Sequence, residues 1–282
     1  MISVTENKKT KHLISKRDSN LDAYIVLGIF SLISIFPLYM MLVSSTNTST
    51  EYLQGKLWFG SNLMENYRNL IAGYDVWTAM RNSLAYSVLQ TLLCLTVCSI
   101  AGYGFEIYHS RAKDRVMTII LLAMMIPFAA IMVPLYQAFS GLNLLNTALG
   151  FVLPSIATPF MIMFFRQNAR SFPMEIIEAA RIEGMSEFGI FVKMFLPTMR
   201  STFAAAATVV FMNAWNSFMW PKIVLSALEK RTMPMLVASV ISGYTVDFGV
   251  LMLSVTLTTL PTVIIFLVLQ KSFANGIVGS VK

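Results

Sequence analysis

Side chains able to carry acid–base, nucleophilic or metal chemistry are few in this 282-residue chain, which has two cysteines, two histidines and only 12% charged residues. Cys94 and Cys98 stand one helical turn apart in an apolar stretch, a pattern of two small buried hydrophobes more than of a metal or redox pair. His12 and His109 are solitary. No catalytic residue, metal or cofactor is therefore expected, and without a GxxxxGK[ST] loop the chain does not bind nucleotide by that route. Two groupings remain. One is the mixed-charge segment Ser171–Pro197, SFPMEIIEAARIEGMSEFGIFVKMFLP, and the other is Asn213, Trp215, Asn216 and Ser217 in an otherwise apolar run. The first suits docking and the second hydrogen bonding, either to a neighbouring helix or to a watery path.

Local signals divide Ser171–Pro197 into two short helices. Ser171, Pro173 and Glu175 read as a helix start, with a capping hydroxyl, a proline in the first turn and a carboxylate near the positive helix end. Gly184 is placed to end that helix in the left-handed conformation, Ser186 to cap the next, and Pro197 to stop it. Phe188, Phe191, Val192 and Phe195 fall at i, i+3, i+4 and i+7, one apolar face. Ile176, Ala179 and Ala180 make a low face, with Glu178 pointing elsewhere.

The elements that hold these groups are read from charge-free stretches. With 56% hydrophobic residues the composition is that of a membrane protein. Stretches without Asp, Glu, Lys or Arg run over Tyr24–Ser45, Ser83–Phe105, Val116–Phe139, Leu145–Phe165, Ser201–Trp220 and Val250–Gln270. Each reaches the roughly 20 residues that a helix needs to cross ~30 Å of hydrocarbon. The fold class is thus all-α, a polytopic membrane protein of six spans. A lysine-rich N-terminal tail over 1–20 precedes the transmembrane domain over 21–282, and the two-helix segment lies within about 167–199. The first span is too long for a signal peptide and lacks a cleavage site, so it reads as uncleaved.

Fifteen lysines and arginines lie in the N-tail, the Arg111–Arg115 loop, the region Arg166–Arg200 and the C-tail, against six on the other side. The positive-inside rule places both termini and the two-helix segment in the cytoplasm. The net charge of +7 is mostly this asymmetry, so no nucleic acid partner is expected. Trp58, Tyr67, Tyr74 and Trp77 mark an external segment near Asn47–Asn82 that lies partly along the membrane surface. Pro127, Pro134, Pro154 and Pro159 predict bent or opened helices in the third and fourth spans. Ala101, Gly102 and Gly104 predict a place of close helix approach. Thr232, Met233 and Pro234 open a short external helix that Gly243 ends.

None of the six stretches contains an ionisable residue. Such groups at depth mark proton relays, voltage sensors and ion paths. Their absence leaves a path for neutral solutes, with energy supplied from outside the membrane.

Glu178-Ala179-Ala180, three residues, Gly184, nine residues, Met194, Phe195, then Leu196-Pro197 resembles the EAA loop of binding-protein-dependent ABC importer permeases. The family pattern has Ile where Met194 stands, a volume-conserving change. Asn66-Tyr67, Arg81-Asn82-Ser83, Trp215-Asn216 and the ending around Gln270, Gly276, Gly279 and Val281-Lys282 extend the resemblance to the carbohydrate-uptake branch, similar to the maltose G-type permease. The resemblance implies a type I importer fold in a bacterial inner membrane, in which the chain is not an enzyme and moves a sugar or oligosaccharide by alternating access. It implies a second permease as heterodimer partner, cytoplasmic ATPase subunits that hydrolyse the ATP, an extracytoplasmic sugar-binding protein and surrounding membrane lipid. It assigns ATPase coupling to Glu178, Ala179, Ala180, Gly184, Leu196 and Pro197, and it leaves Asn213, Trp215 and Asn216 as the candidate substrate path. The alternatives are an amphipathic hairpin on the membrane surface with a Glu178–Arg181 contact, a self-sufficient channel or carrier for small neutral solutes, an integral-membrane enzyme, or uptake of glycerol phosphate within the importer class. An enzyme would show titratable groups clustered in a pocket, and none cluster in these stretches.

In a background lacking Cys94 and Cys98, a cysteine at Lys282 is expected to be shielded from an impermeant thiol reagent in intact cells, and one at Lys230 to react. The reverse labelling would invert the topology.

Overall fold

The computed structural model describes the backbone of residues 6–243 and 245–278, with side chains over 21–243, 245–268 and at 270. Gly279, Val281 and Lys282, and the side chains of the basic tail, lie outside the described residues. The regular secondary structure of the described residues is helical, without a strand. In order they form α1 (Glu6–Ser44), α2 (Ser49–Leu53), α3 (Leu63–Gly73), α4 (Val76–Ile107), α5 (Arg111–Ala123) and α6 (Phe128–Gly141). There follow α7 (Ala148–Val152), α8 (Pro159–Ala169), α9 (Met174–Ile182), α10 (Glu187–Ile190), α11 (Leu196–Thr198) and α12 (Arg200–Trp215). The chain closes with α13 (Met219–Val224), α14 (Met233–Ile241) and α15 (Phe248–Val278).

Among the described residues, three helical segments are long and apolar enough to cross a membrane unbroken: Leu21–Ser44, Val76–Ile107 and Phe248–Val268. The count rises to six if each bent pair is one crossing. These pairs are α5 with α6 at 98°, Ala148–Ser155 with α8 at 53°, and Glu187–Thr198 with α12 at 82°. The prolines account for the first two breaks. Pro127 precedes the first turn of α6, and Pro159 opens α8, positions where the missing N–H leaves no gap in the ladder. At the second break the Cys98 thiol lies 3.5 Å from the Ile156 carbonyl and 3.8 Å from that of Thr158. Sulfur thus faces backbone oxygens that the broken ladder leaves free. The expected fifth span, Ser201–Trp220, is not one helix. It stops at Trp215, and Trp220 belongs to the separate α13, where its indole donates to the Gly150 carbonyl at 2.9 Å.

The chain divides into two compact units, residues 1–69 with 245–256 and residues 70–244 with 257–282. In the first, Asn66 donates through Nδ2 to the Ser45 and Asn47 carbonyls, both at 2.9 Å. Ser49 donates to Asp247 at 2.9 Å and accepts the Phe248 amide at 2.9 Å, while Tyr52 stacks on Phe248. Gly249 is fixed by space, since a Cβ there would meet the Asn47 carbonyl and the Asn66 amide at 2.6 Å.

The second unit is built on α4, against which α8 and α12 lie. Cys94 and Cys98 are buried with Met161, Phe165, Ala206 and Val210, as two small buried side chains. At one end of α4, Tyr86 packs with Phe151, Trp220 and Met235. At the other, Tyr103 packs with Phe172, Ile177, Phe191 and Phe195. Ser83 accepts the first amide of α14 at 2.7 Å, and Asn82 donates to the Glu229 and Arg231 carbonyls. The turn from α6 to α7 places Asn143 and Asn146 at positive φ, which asparagine tolerates.

The small-residue patch on α4 separates into two roles. A Cβ on Gly102 would meet Phe165 Cβ at 2.6 Å and the Arg166 amide at 2.7 Å, so α8 lies directly on it. Gly104 faces open space. One turn beyond Gly102, the nearly buried Arg166 pairs with Glu106 of α4 at 3.0 Å and with Asp114 of α5, which also meets His109. Arg170 takes the second Glu106 oxygen at 3.2 Å. The Arg166 guanidinium holds the Asp114 carboxyl below the usual carboxylate range.

Gly102→Val is expected to destabilise the second unit by about 2 kcal/mol through overpacking, read as a lowered thermal midpoint in detergent. Gly104→Ala leaves that midpoint unchanged. Equal effects would show that α8 yields to the added side chain.

Candidate functional site

Two regions gather the singled-out residues, one around Ser171–Pro197 and one along the cavities between α4, α8 and α12. In the first, α9 starts at Met174 with Pro173 before it and no side-chain cap. The Ser171 hydroxyl instead donates backwards to the Asn168 carbonyl at 2.7 Å, because the chain turns at that point and the hydroxyl faces the end of α8. Gly184 does end α9, at φ +77°, with the Met185 amide returning to the Ala180 carbonyl at 3.0 Å. This is the closure a left-handed residue provides. Ser186 caps α10 by accepting the Gly189 amide at 3.2 Å.

The second helix departs from the expected pattern. Residues Phe191–Phe195 form a π-turn, in which the Leu196 amide bonds to the Phe191 carbonyl. Pro197 has no amide to give to the Lys193 carbonyl, and the widened turn precedes it. The turn shifts the register, so that Ile190, Phe191, Phe195 and Met199 face the core while Phe188 is 71% exposed and Val192 is also exposed. The helix runs past Pro197 to Thr198. On α9 the two alanines part: Ala180 is buried beside Ile177, and Ala179 is exposed with Glu178. Ile182 joins them, 87% exposed. The outward surface is therefore Glu178, Ala179, Ile182 and Phe188, with Leu196 and Pro197 exposed farther along.

Arg181 does not pair with Glu178. Its guanidinium binds Glu187 at 2.7 Å and lies 5.9 Å from the Tyr108 ring, whose hydroxyl donates to the same carboxylate. Arg181 first, then Tyr108, holds the Glu187 carboxyl below its ordinary range. Burial first, then the Glu187 hydrogen bond, raises the Tyr108 phenol. This cluster ties the two-helix segment to the end of α4. Tyr103 adds edge contacts to Phe191 and Phe195 at 5.3 and 4.9 Å.

The second region is a run of cavities. One of about 350 Å³ is lined by Gln90, Cys94, Ser155, Thr158, Asn213 and Ser217, among others. A second, of about 330 Å³, shares Gln90, Ser155 and Ser217 with it and reaches Phe128, Phe151 and Trp220. A third, of about 610 Å³, shares Asn213 and continues past Thr208 and Asn216 to Phe266. None of the three is lined by an ionisable carboxylate, amine, guanidinium or imidazole. Trp215 stands apart from them. It is 1% exposed, stacks on Phe211 and donates to the Thr258 carbonyl at 2.9 Å, so it joins α12 to α15. Asn216 bonds back to the Met212 carbonyl at 2.9 Å. Ser217 belongs to the polar cluster that the sequence shows, whereas Gln90, Ser155 and Thr158 escaped the sequence reading. A signal was present for two of them, as Ser155 and Thr158 lie between Pro154 and Pro159, where an interrupted helix must face polar space.

Comparison with known proteins agrees with this architecture. Residues 98–279 match the family described as "Binding-protein-dependent transport system inner membrane component". The lactose transport system permease protein LacG of Rhizobium radiobacter is 40% identical over 95% of this chain and 98% of its own length. The arabinooligosaccharides transport system permease protein AraQ of Bacillus subtilis is 34% identical over 89% and 92%. A solved bacterial ABC transporter involved in the import of the acidic polysaccharide alginate shares the fold, with TM-score 0.80 at 21% identity, covering 92% of this chain and 98% of that one. The chain thus belongs to the binding-protein-dependent transport system inner membrane components, as a multi-pass permease subunit and not an enzyme.

Proposed function

We propose that this permease carries a neutral sugar or oligosaccharide inward by alternating access, driven by ATP hydrolysis on separate cytoplasmic subunits. One observation carries the solute class: the linked cavities offer amides, hydroxyls and aromatic faces from Gln90, Ser155, Asn213, Ser217 and Trp220, and no ionisable group. A polyhydroxylated solute needs those donors and acceptors, whereas a phosphorylated polyol would lack a counter-ion here. The permeases LacG and AraQ, named for lactose and arabinooligosaccharides, support a saccharide.

In this reading both termini and the two-helix segment are cytoplasmic, a second permease completes the path, and an extracytoplasmic sugar-binding protein delivers the solute. The ATPase docks on Glu178, Ala179, Ile182 and Phe188, an acidic and apolar surface left exposed among the described residues. Ala180 and Gly184 serve that surface from beneath: Ala180 seats α9 on the core and Gly184 sets the angle to α10. Leu196 and Pro197 set the π-turn that leads into α12. Movement of the docked segment reaches α4 through Tyr103 and the Arg181–Glu187–Tyr108 cluster, and reaches the cavity wall through α12.

Replacing Gly184 by Val forces a β-branched residue to positive φ, and Glu178→Lys reverses the charge of the docking face. Both variants are expected to insert and to co-purify with the second permease, but to lose the ATPase subunit or uptake. Normal uptake by both would refute the docking role.

Gln90→Leu and Asn213→Leu each remove hydrogen bonds of about 1 kcal/mol net and are expected to lower sugar uptake up to about tenfold at unchanged complex yield. Trp215→Phe, by contrast, lowers the yield. A complex whose ATPase responds to glycerol phosphate and to no neutral sugar would overturn the solute class.

A further inference from the structure

A groove of about 350 Å³ runs between the end of α4 and the start of α5, away from the solute cavities. Its walls are Ile100, Ala101, Phe105 and Val116, and Gly104 leaves its floor open, since a Cβ there would meet nothing within 4 Å. Ile100 and Val116 are each 47% exposed, so the trough is not filled by the chain itself. Beyond Val116 the exposed side of α5 continues with Ile119 and Leu122. At one end stand Tyr108 and Lys113. The Lys113 ammonium donates to the Gly104 and Tyr108 carbonyls at 3.0 and 2.7 Å. An ammonium has three donors, so one N–H remains.

The Lys113 ammonium also lies over the Tyr108 ring, 5.1 Å from its centre. Each nearby carboxylate already has an arginine: Glu106 and Asp114 have Arg166, and Glu187 has Arg181. Lys113 has no carboxylate partner among the described residues. An apolar trough that ends at a lysine matches a molecule with a hydrocarbon tail and an anionic head.

We propose that this groove binds an anionic phospholipid, with one acyl chain laid along Ile100, Gly104 and Val116 and the phosphate on the free Lys113 N–H. The site is independent of the solute carried. Occupancy fills the space beside α4 at the level where Tyr108 and Arg181 attach the two-helix segment.

The test is native mass spectrometry of the complex purified with its partner subunits, titrated with dioleoylphosphatidylglycerol or dioleoylphosphatidylcholine. Wild type is expected to hold the anionic lipid about fivefold more tightly, the effect of one basic residue at a membrane surface. Lys113→Gln removes that preference and Lys113→Arg keeps it. Gly104→Leu, whose Cβ meets nothing within 4 Å and whose side chain enters the trough, lowers occupancy by both lipids at an unchanged melting temperature. Equal binding of the two lipids by wild type would overturn the proposal, as would unchanged lipid occupancy in Gly104→Leu. Loss of the second permease from Gly104→Leu with lipid counts unchanged would assign the groove to a partner helix instead.

Discussion

A guanidinium with 5% of its side chain exposed sets the geometry at one end of the second unit. Removing a charge from water costs several kcal/mol unless partners replace the lost hydration, so Arg166 must be met by carboxylates, and these come from two different helices. Glu106 lies at the end of α4 and Asp114 at the start of α5. The pairing holds only while α8 lies against α4, which Gly102 permits by having no side chain. One turn of α4 therefore supplies both the close contact and the countercharge. The α4–α5 turn is fixed as a consequence, and with it the opposite, open side of α4 at Gly104.

The broken spans follow a second constraint. A helix interrupted inside the protein must find partners for its freed backbone groups, and here the interruptions lie beside the cavities. Ser155 and Thr158 flank the break before α8, and Ser217 lies in the break after α12. The prolines around the break before α8 thus place the Ser155 and Thr158 hydroxyls on the cavity wall. Cys98 serves the same break from the neighbouring helix, a role more specific than that of a small hydrophobe.

The two-helix segment is held rather than hung. Ile177, Ala180, Ile190, Phe191 and Phe195 share one core with Tyr103 of α4, and the Arg181–Glu187–Tyr108 cluster fastens the exposed side. The outward residues, Glu178, Ala179, Ile182 and Phe188, take no part in this attachment. In the proposed function, docking would use the face opposite to this anchoring, so that a partner pulling on one face displaces the other.

The sequence by itself determined the helical class, the membrane setting and the family, because charge-free runs of span length and the spacing of Glu178, Gly184 and Pro197 are properties of the chain alone. It also placed the end of α9, since a left-handed residue at Gly184 is a local matter of φ and sterics. Tertiary structure decided which side chains face where. The helical period predicts one face for Phe188, Phe191, Val192 and Phe195, but the π-turn before Pro197 shifts the register, a choice made by the core around Tyr103. Ala179 and Ala180 are identical to a sequence reading and opposite in burial. Trp215 and Asn213 are two residues apart, yet one joins two helices and the other lines a cavity, since neighbours on a helix point about 100° apart per residue and only the packed neighbours fix which direction is inside. Gln90 and Arg166 gain their roles from partners more than fifty residues away in the chain, a distance over which no local pattern carries information.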